Sequence, residues 1–175
     1  ELELIHRNSE TLLNEVNQLL DFRKLDQQKT QLMLSHGNLS DFVKEVCGSF
    51  IPQAVKKGIN IRLHINETKM DMDFDRNKIQ RILLNLLSNA VKYNWEVIVA
   101  LDKITANGTE NAQIQVADTG IGIKDENKDK IFDRFFQEQH STTTYIGNGI
   151  GLHIVKEYVT MHHGTITVEN HIPQG

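Results

Sequence analysis

The sequence predicts an α/β sandwich, a mixed sheet with helices on one face, plus an N-terminal long helix. Three observations predict it. Runs with the two-residue period of half-buried strands, "INIRLHI", "KMDMDFD", "WEVIVALD", "AQIQVAD" and "GTITVEN", are interleaved with segments of helical period. Neighbouring runs, 59–65 with 70–75 and 95–101 with 111–117, read as hairpins, so the sheet cannot be wholly parallel. The helical run from Asp75 to Tyr93 is so apolar over "ILLNLLSNAV" that it belongs deep in the domain.

Each element follows from local pattern. Residues 2–25 place Leu2, Ile5, Leu12, Leu13, Val16, Leu19 and Leu20 close to a heptad seam interrupted at Ser9, which predicts a long helix docking onto another helix. The alternative is an ordinary amphipathic helix packed on its own domain. In "NLSDFVKEVCGSFIPQAVKKG", Asn38 or Ser40 is the N-cap, Phe42, Val43 and Val46 keep helical spacing, Pro52 is a kink position, and Gly58 stops the helix. Asp75 caps the apolar helix. A Gly-containing turn, "ITANGTEN", joins the next two strands. Residues 123–146 are polar, with one short helical stretch near "DKIFDRFF"; 149–162 are helical, and 164–170 form a final strand.

At 175 residues the chain suits one domain with an appendage, able to bury roughly 70% of its unfolded surface. The single cysteine, Cys47, cannot form an internal disulfide, and no run approaches the ~18 apolar residues of a membrane span. A reducing, aqueous compartment, the cytosol, is the expectation. With 19 Lys and Arg against 23 Asp and Glu the net charge is −4, which supplies no general attraction for nucleic acid or anionic lipid. An anionic ligand must therefore be held locally. The polar opening "ELELIHRNSE" is no signal peptide and reads as the start of a fragment of something longer.

Three stretches can hold such a ligand. In "YIGNGIGLHIVK", Gly147, Gly149 and Gly151 stand at the mouth of a helix, where unpaired N–H groups carry partial positive charge and the absence of side chains lets an anion approach. A loop tip or a helix-packing contact accounts for the glycines equally well. Leu152 occupies the third glycine position of a G-x-G-x-x-G motif, and no G-x-x-x-x-G-K-[ST] exists, so two familiar phosphate motifs are set aside. In "DTGIG", Asp118 ends a strand ahead of Gly120 and Gly122. A carboxylate facing a pocket there accepts hydrogen bonds only; it would pair with the amine of adenine and reject the oxygen of guanine, so ATP is expected over GTP. A plain turn aspartate is the alternative. In the apolar helix, Asn85, Asn89, Lys92 and Tyr93 fall at i, i+4, i+7 and i+8, one polar stripe suited to Mg²⁺, phosphate and a base, or else a helix edge emerging into solvent.

In that order "NLLSNAVKY", "VADTGIGI", "IFDRFFQ" and "GNGIGLHIVKEYV" resemble the asparagine box, first glycine box, phenylalanine box and second glycine box of sensor histidine kinases, two-component enzymes of signal transduction. The resemblance runs from about Gln31 to the end and implies the Bergerat ATP-binding fold. It implies that Asn89, with Asn85, holds Mg²⁺ and phosphates, that Lys92 contacts phosphate, that Tyr93 lies against the base and that Asp118 takes the adenine amine. Gly120, Gly122, Gly147, Gly149 and Gly151 would shape the pocket and the hinges of a lid over roughly 123–146, docked by Phe132, Phe135 and Phe136. Ile123 and Leu152, inside the two glycine boxes, join the nucleotide-binding set.

The segment "RNSETLLNEVNQLLDFRKLDQQK" resembles the second helix of the kinase dimerisation domain, especially that of hybrid kinases. Residues 1–28 are thus expected to be a remnant of that domain and 29–175 the ATP-binding domain without its last strand. The resemblance implies a homodimer through the N-terminal helix region, a response-regulator receiver domain as partner, and a cytoplasmic domain of an inner-membrane-anchored parent that meets the membrane only through parts outside this chain. The family's phosphoacceptor histidine is followed by an acid, whereas Arg7 and Asn8 follow His6, so the acceptor is expected elsewhere and no catalytic residue is assigned within the chain. "NWEVIVAL" directly follows Tyr93, where the family commonly has a Gly-containing turn, so the loop is short or residues are absent. The rival functions are a degenerate nucleotide-binding or dimerisation module and a hydrolytic ATPase of the same fold; the latter carries a glutamate base where Asn85 stands.

Overall fold

The computed structural model describes residues 2–27, 30–92, 95–106, 108–137 and 148–170, and the chain divides into two compact units. One comprises Glu1–Leu32 and Asp125–Ile166, the other Met33–Lys124 and Thr167–Gly175.

The second unit holds the sheets. Helix α2 (Leu39–Lys56) follows strand β1 (Ser35–Asn38), and Asn38 is its N-cap, the side chain accepting from the Ser40 N–H. The helix runs through Pro52 and ends before Gly58, whose φ of +72° is the left-handed value that favours glycine. Strands β2 (Asn60–Ile65), β4 (Glu96–Ala106) and β5 (Thr109–Asp118) form one sheet in the order β2-β4-β5, with β2 parallel and β5 antiparallel to β4. Strand β3 (Asp71–Phe74) pairs with β1 in a second, two-stranded sheet. Helix α3 (Arg76–Ala90) lies between β3 and β4 in sequence and supplies the crossover a parallel pair requires.

The strand alternation produces a one-sided core. Val97, Val99 and Leu101 are fully buried with Phe42, Val43 and Val46 of α2 and Leu83 and Leu87 of α3. Asp75 caps α3 through the Lys78 N–H at 3.1 Å, and its other oxygen receives the Lys78 ammonium at 2.6 Å and the Met33 N–H at 2.9 Å. Burial alone would raise the Asp75 pKa; the Lys78 ammonium and those N–H donors outweigh it and hold the carboxyl below its ordinary value.

Two sequence expectations fail here, and one strand is unannounced by the sequence. The runs 59–65 and 70–75 are not a hairpin: β2 joins β4 and β3 joins β1. The connecting residues instead bind the start of α2. Glu67 O accepts from Ser40 Oγ, Thr68 O from Asn38 Nδ2, and Met70 O from Leu39 N. "SHGN" is a strand that local pattern did not announce, formed by its ladder with β3. Residues 164–170 form no strand. Asn170 there engages a neighbouring main chain through its side chain rather than through a backbone ladder. The expected hairpin 95–101 with 111–117 is present and longer, reaching the pair Ala106 and Thr109.

The first unit contains helix α1 (Leu2–Asp26), single 3-10 turns at Asp125–Asn127 and Lys130–Phe132, and helix α4 (Gly151–Met161). The stretch "DKIFDRFF" thus yields a 3-10 turn and not an α-helix. Phe22 of α1 meets the Phe135 ring edge-on at 5.5 Å and the His153 ring at 6.1 Å, and the Arg134 guanidinium lies 5.3 Å from the Phe22 centroid while pairing with Asp26 at 2.8 Å. Leu12, Leu13, Val16, Leu19 and Leu20 of α1 are exposed. His163, at φ +59°, ends α4 in a left-handed cap with His163 N bonded to Thr160 O and Gly164 N to Val159 O, which gives this histidine a structural role.

Candidate nucleotide site

In the second unit, α3 carries Asn85 and Asn89 on one half-buried face because they are separated by four residues. Asn85 Nδ2 donates to Arg81 O at 2.9 Å, which anchors the amide to its own helix. The helix ends at Ala90, earlier than the stripe to Tyr93 implied, so Lys92 sits in the following turn. It is exposed and donates to Asn89 Oδ1 at 3.4 Å. Tyr93 lies outside the described residues.

Asp118 is the last residue of β5 and stands opposite Val97 in the register. Directly opposed residues project to the same side, so Asp118 faces the helix-covered side of the sheet. The carboxylate is exposed, and Oδ1 accepts from Gly120 N at 2.9 Å, closing a tight turn. Gly122 follows with φ +71°. The next residue, Ile123, has both main-chain polar groups bonded to the Asn170 side chain.

In the first unit, Gly149 has φ +65° and Gly151 opens α4, with Leu152 next, half-buried. The N-cap residue, Ile150, makes no side-chain capping bond. Ile150 N is instead held by Asn148 Oδ1 at 3.2 Å, so the loop steadies itself just ahead of the helix. Phe132 is buried; Phe135 is exposed, and its N–H donates to Gly149 O at 3.0 Å. Gly147 and residues 138–146 of the segment expected as a lid lie outside the described residues.

Residues 74–175, more than half of the chain, match the family described as histidine kinase-, DNA gyrase B-, and HSP90-like ATPase. The chain belongs to that family. Its relatives place it on the kinase branch. It is 37% identical over 169 residues to the sensor histidine kinase TmoS of Ectopseudomonas mendocina, covering 96% of this chain and 17% of that protein. It is 38% identical over 175 residues to hybrid signal transduction histidine kinase D of Dictyostelium discoideum, covering 97% of this chain and 11% of that protein. The chain therefore spans less than a fifth of the length of either relative. The crystal structure of full-length ShkA in complex with AMPPNP matches with a TM-score of 0.79 at 27% identity, covering 97% of this chain and 35% of that one. The chain is an ATP-binding catalytic domain of the sensor histidine kinase type.

In this kinase-type domain, hard amide oxygens at i and i+4 on α3 fit a small divalent cation shared with phosphate oxygens. Among the described residues no three His, Cys, Asp or Glu side chains converge, so carboxylate or imidazole clusters offer no competing metal centre there. Mg²⁺, held by Asn85 and Asn89, would neutralise phosphate charge. Sequence reasoning missed Asn148 and Asn170. An asparagine beside glycines is a cue for the first, whereas nothing local marks the second.

Proposed function

We propose that this domain binds Mg²⁺-ATP and presents its γ-phosphoryl to a histidine outside the chain. Phosphoryl transfer needs positioning and charge neutralisation more than covalent help from the protein, which suits a domain whose motif residues are amides, one carboxylate, one lysine and glycines. Asp118 recognises the adenine amine; Asn85 and Asn89 hold Mg²⁺ and phosphates; Lys92 meets phosphate; Tyr93 lies against the base. Gly120, Gly122 and Ile123 shape the base end. For the first unit, the family resemblance assigns phosphate contacts to Gly147, Gly149, Gly151 and Leu152 and lid docking to Phe135. The observation that carries this reading is Asp118, fixed by Gly120 N at the end of β5 on the same side of the sheet as the asparagine-bearing helix. Hydrolysis is disfavoured because Asn85, bonded to its own helix through Nδ2, cannot take a proton from water.

In the parent protein, residues 1–28 belong to a dimerisation domain and 29–175 to the ATP-binding domain. The exposed leucines of α1 support homodimerisation through that helix region. The phosphoryl group then passes to a response-regulator receiver domain. Among the described residues no helix is long and apolar enough to cross a membrane. We place the domain in the cytoplasm, on a parent anchored in the inner membrane through other segments.

Incubating the parent protein with γ-labelled ATP tests this proposal. Acid-labile, base-stable phosphohistidine is the expected product. Rapid phosphate release by the domain alone, with no phosphohistidine in the parent, contradicts it.

A further inference from the structure

The first glycine turn is held at both ends by side chains. At its start, Asp118 Oδ1 accepts from Gly120 N at 2.9 Å. At its finish, Asn170 Oδ1 accepts from Ile123 N at 2.9 Å and Asn170 Nδ2 donates to Ile123 O at 2.8 Å. The residues lie 47 positions apart in the sequence, so this is a tertiary contact and not a local turn bond. Main-chain chemistry fixes the amide orientation, because an N–H can only donate and a C=O can only accept. Between the two anchors Gly122 adopts φ +71°, and a Cβ placed there would come within 3.2 Å of Asn170 Oδ1. The glycine thus gives the turn its left-handed residue and leaves room for the amide.

We propose that Asn170 is a positioning residue for base recognition: its two-pronged amide fixes the Gly120–Ile123 turn, and through it the Asp118 carboxylate that selects adenine. The role deepens the nucleotide-binding reading above and rests on it. A bond to Ile123 N–H alone would leave the carbonyl free to rotate; two bonds to the same residue restrain the peptide on either side of it. An asparagine is the side chain that offers one donor and one acceptor at this reach. An aspartate of the same size keeps the acceptor but sets a carboxylate against the Ile123 carbonyl.

The test compares the full chain with Asn170→Asp and Asn170→Ala, titrating Mg²⁺-ATP and Mg²⁺-GTP and following amide hydrogen exchange at Ile123. Both variants are expected to weaken ATP binding about tenfold, the worth of one lost hydrogen bond, while GTP binding changes little. The ATP-over-GTP ratio therefore narrows, which a general loss of stability would not produce. Exchange at the Ile123 amide is expected to be slow in the wild type and fast in Asn170→Ala. If Asn170→Ala does not fold, Asn170→Asp decides on the nucleotide ratio. If neither variant folds, wild-type exchange decides: a rapidly exchanging Ile123 amide overturns the clamp, and slowing of that exchange by ATP upholds it. Variants with wild-type affinity and an unchanged ratio overturn the inference alone. A wild-type chain that binds neither nucleotide overturns the functional reading, and this role with it.

Discussion

The two glycine turns reach the same left-handed backbone by different means. The first, at 118–123, is tied by the side chains of Asp118 and Asn170. The second, at 148–151, is wedged against main chain: a Cβ on Gly149 would come within 2.7 Å of Phe135 C and 2.8 Å of Phe136 O. Phe135 itself has φ +63°, unusual for a bulky residue, and bonds through its N–H to Gly149 O. A side-chain tie can be cut while the fold survives. A steric wedge cannot be relieved without moving backbone. Substitutions in the first turn should therefore alter ligand binding, and those in the second should alter local structure.

The largest effect is expected from Gly149→Ala. The left-handed penalty and the overlap with Phe135 together predict roughly 2–5 kcal/mol of lost stability, read as a lowered unfolding midpoint. A stability change near zero would break the comparison. Next comes Asp118→Asn, which should weaken ATP binding by roughly 1–3 kcal/mol, the cost of a mispaired recognition group, with the unfolding midpoint unmoved. Equal affinity in wild type and variant would remove Asp118 from the site.

Acid sharpens the contrast, because the unit containing the first turn also contains the Asp75–Lys78 pair. The folded pKa of Asp75 lies below its unfolded value. The stability it contributes is thus present above the unfolded carboxyl pKa of about 3.9 and lost as pH falls through the lower folded value. Unfolding measured across that acid window should be pH-dependent in the wild type and flatter in Asp75→Asn; identical slopes would refute the assignment. The smallest effect concerns Cys47, fully buried in the core, where burial pushes the thiol pKa up to about 11. Native chain at neutral pH should resist thiol-blocking reagents, and rapid labelling would show that the core of this unit opens.

The same contrast explains what local pattern conveys. Helix α3 was readable from its apolar run and the Asp75 cap, and the β4–β5 hairpin from alternation around a glycine turn, because both are set by nearby residues. Alternation marks a strand but not its partner, so pattern alone pairs β2 with β3, whereas the residues between them serve the cap of α2. "SHGN" has little strand propensity and exists as a strand through its ladder with β3. "GTITVEN" alternates well and has no ladder. Within the candidate site, Asp118 and the α3 asparagines stand out through their motifs. Asn170 does not, since its meaning arises only when the fold brings it to Ile123.

The central claim is adenine recognition by Asp118, and a crystal structure of the chain with Mg²⁺ and AMPPNP tests it most directly. The account predicts an adenine whose exocyclic amine donates to the Asp118 carboxylate, with the Gly120 N–H still bonded to Oδ1. A nucleotide seated away from β5, or an Asp118 carboxylate turned from the base, would contradict it.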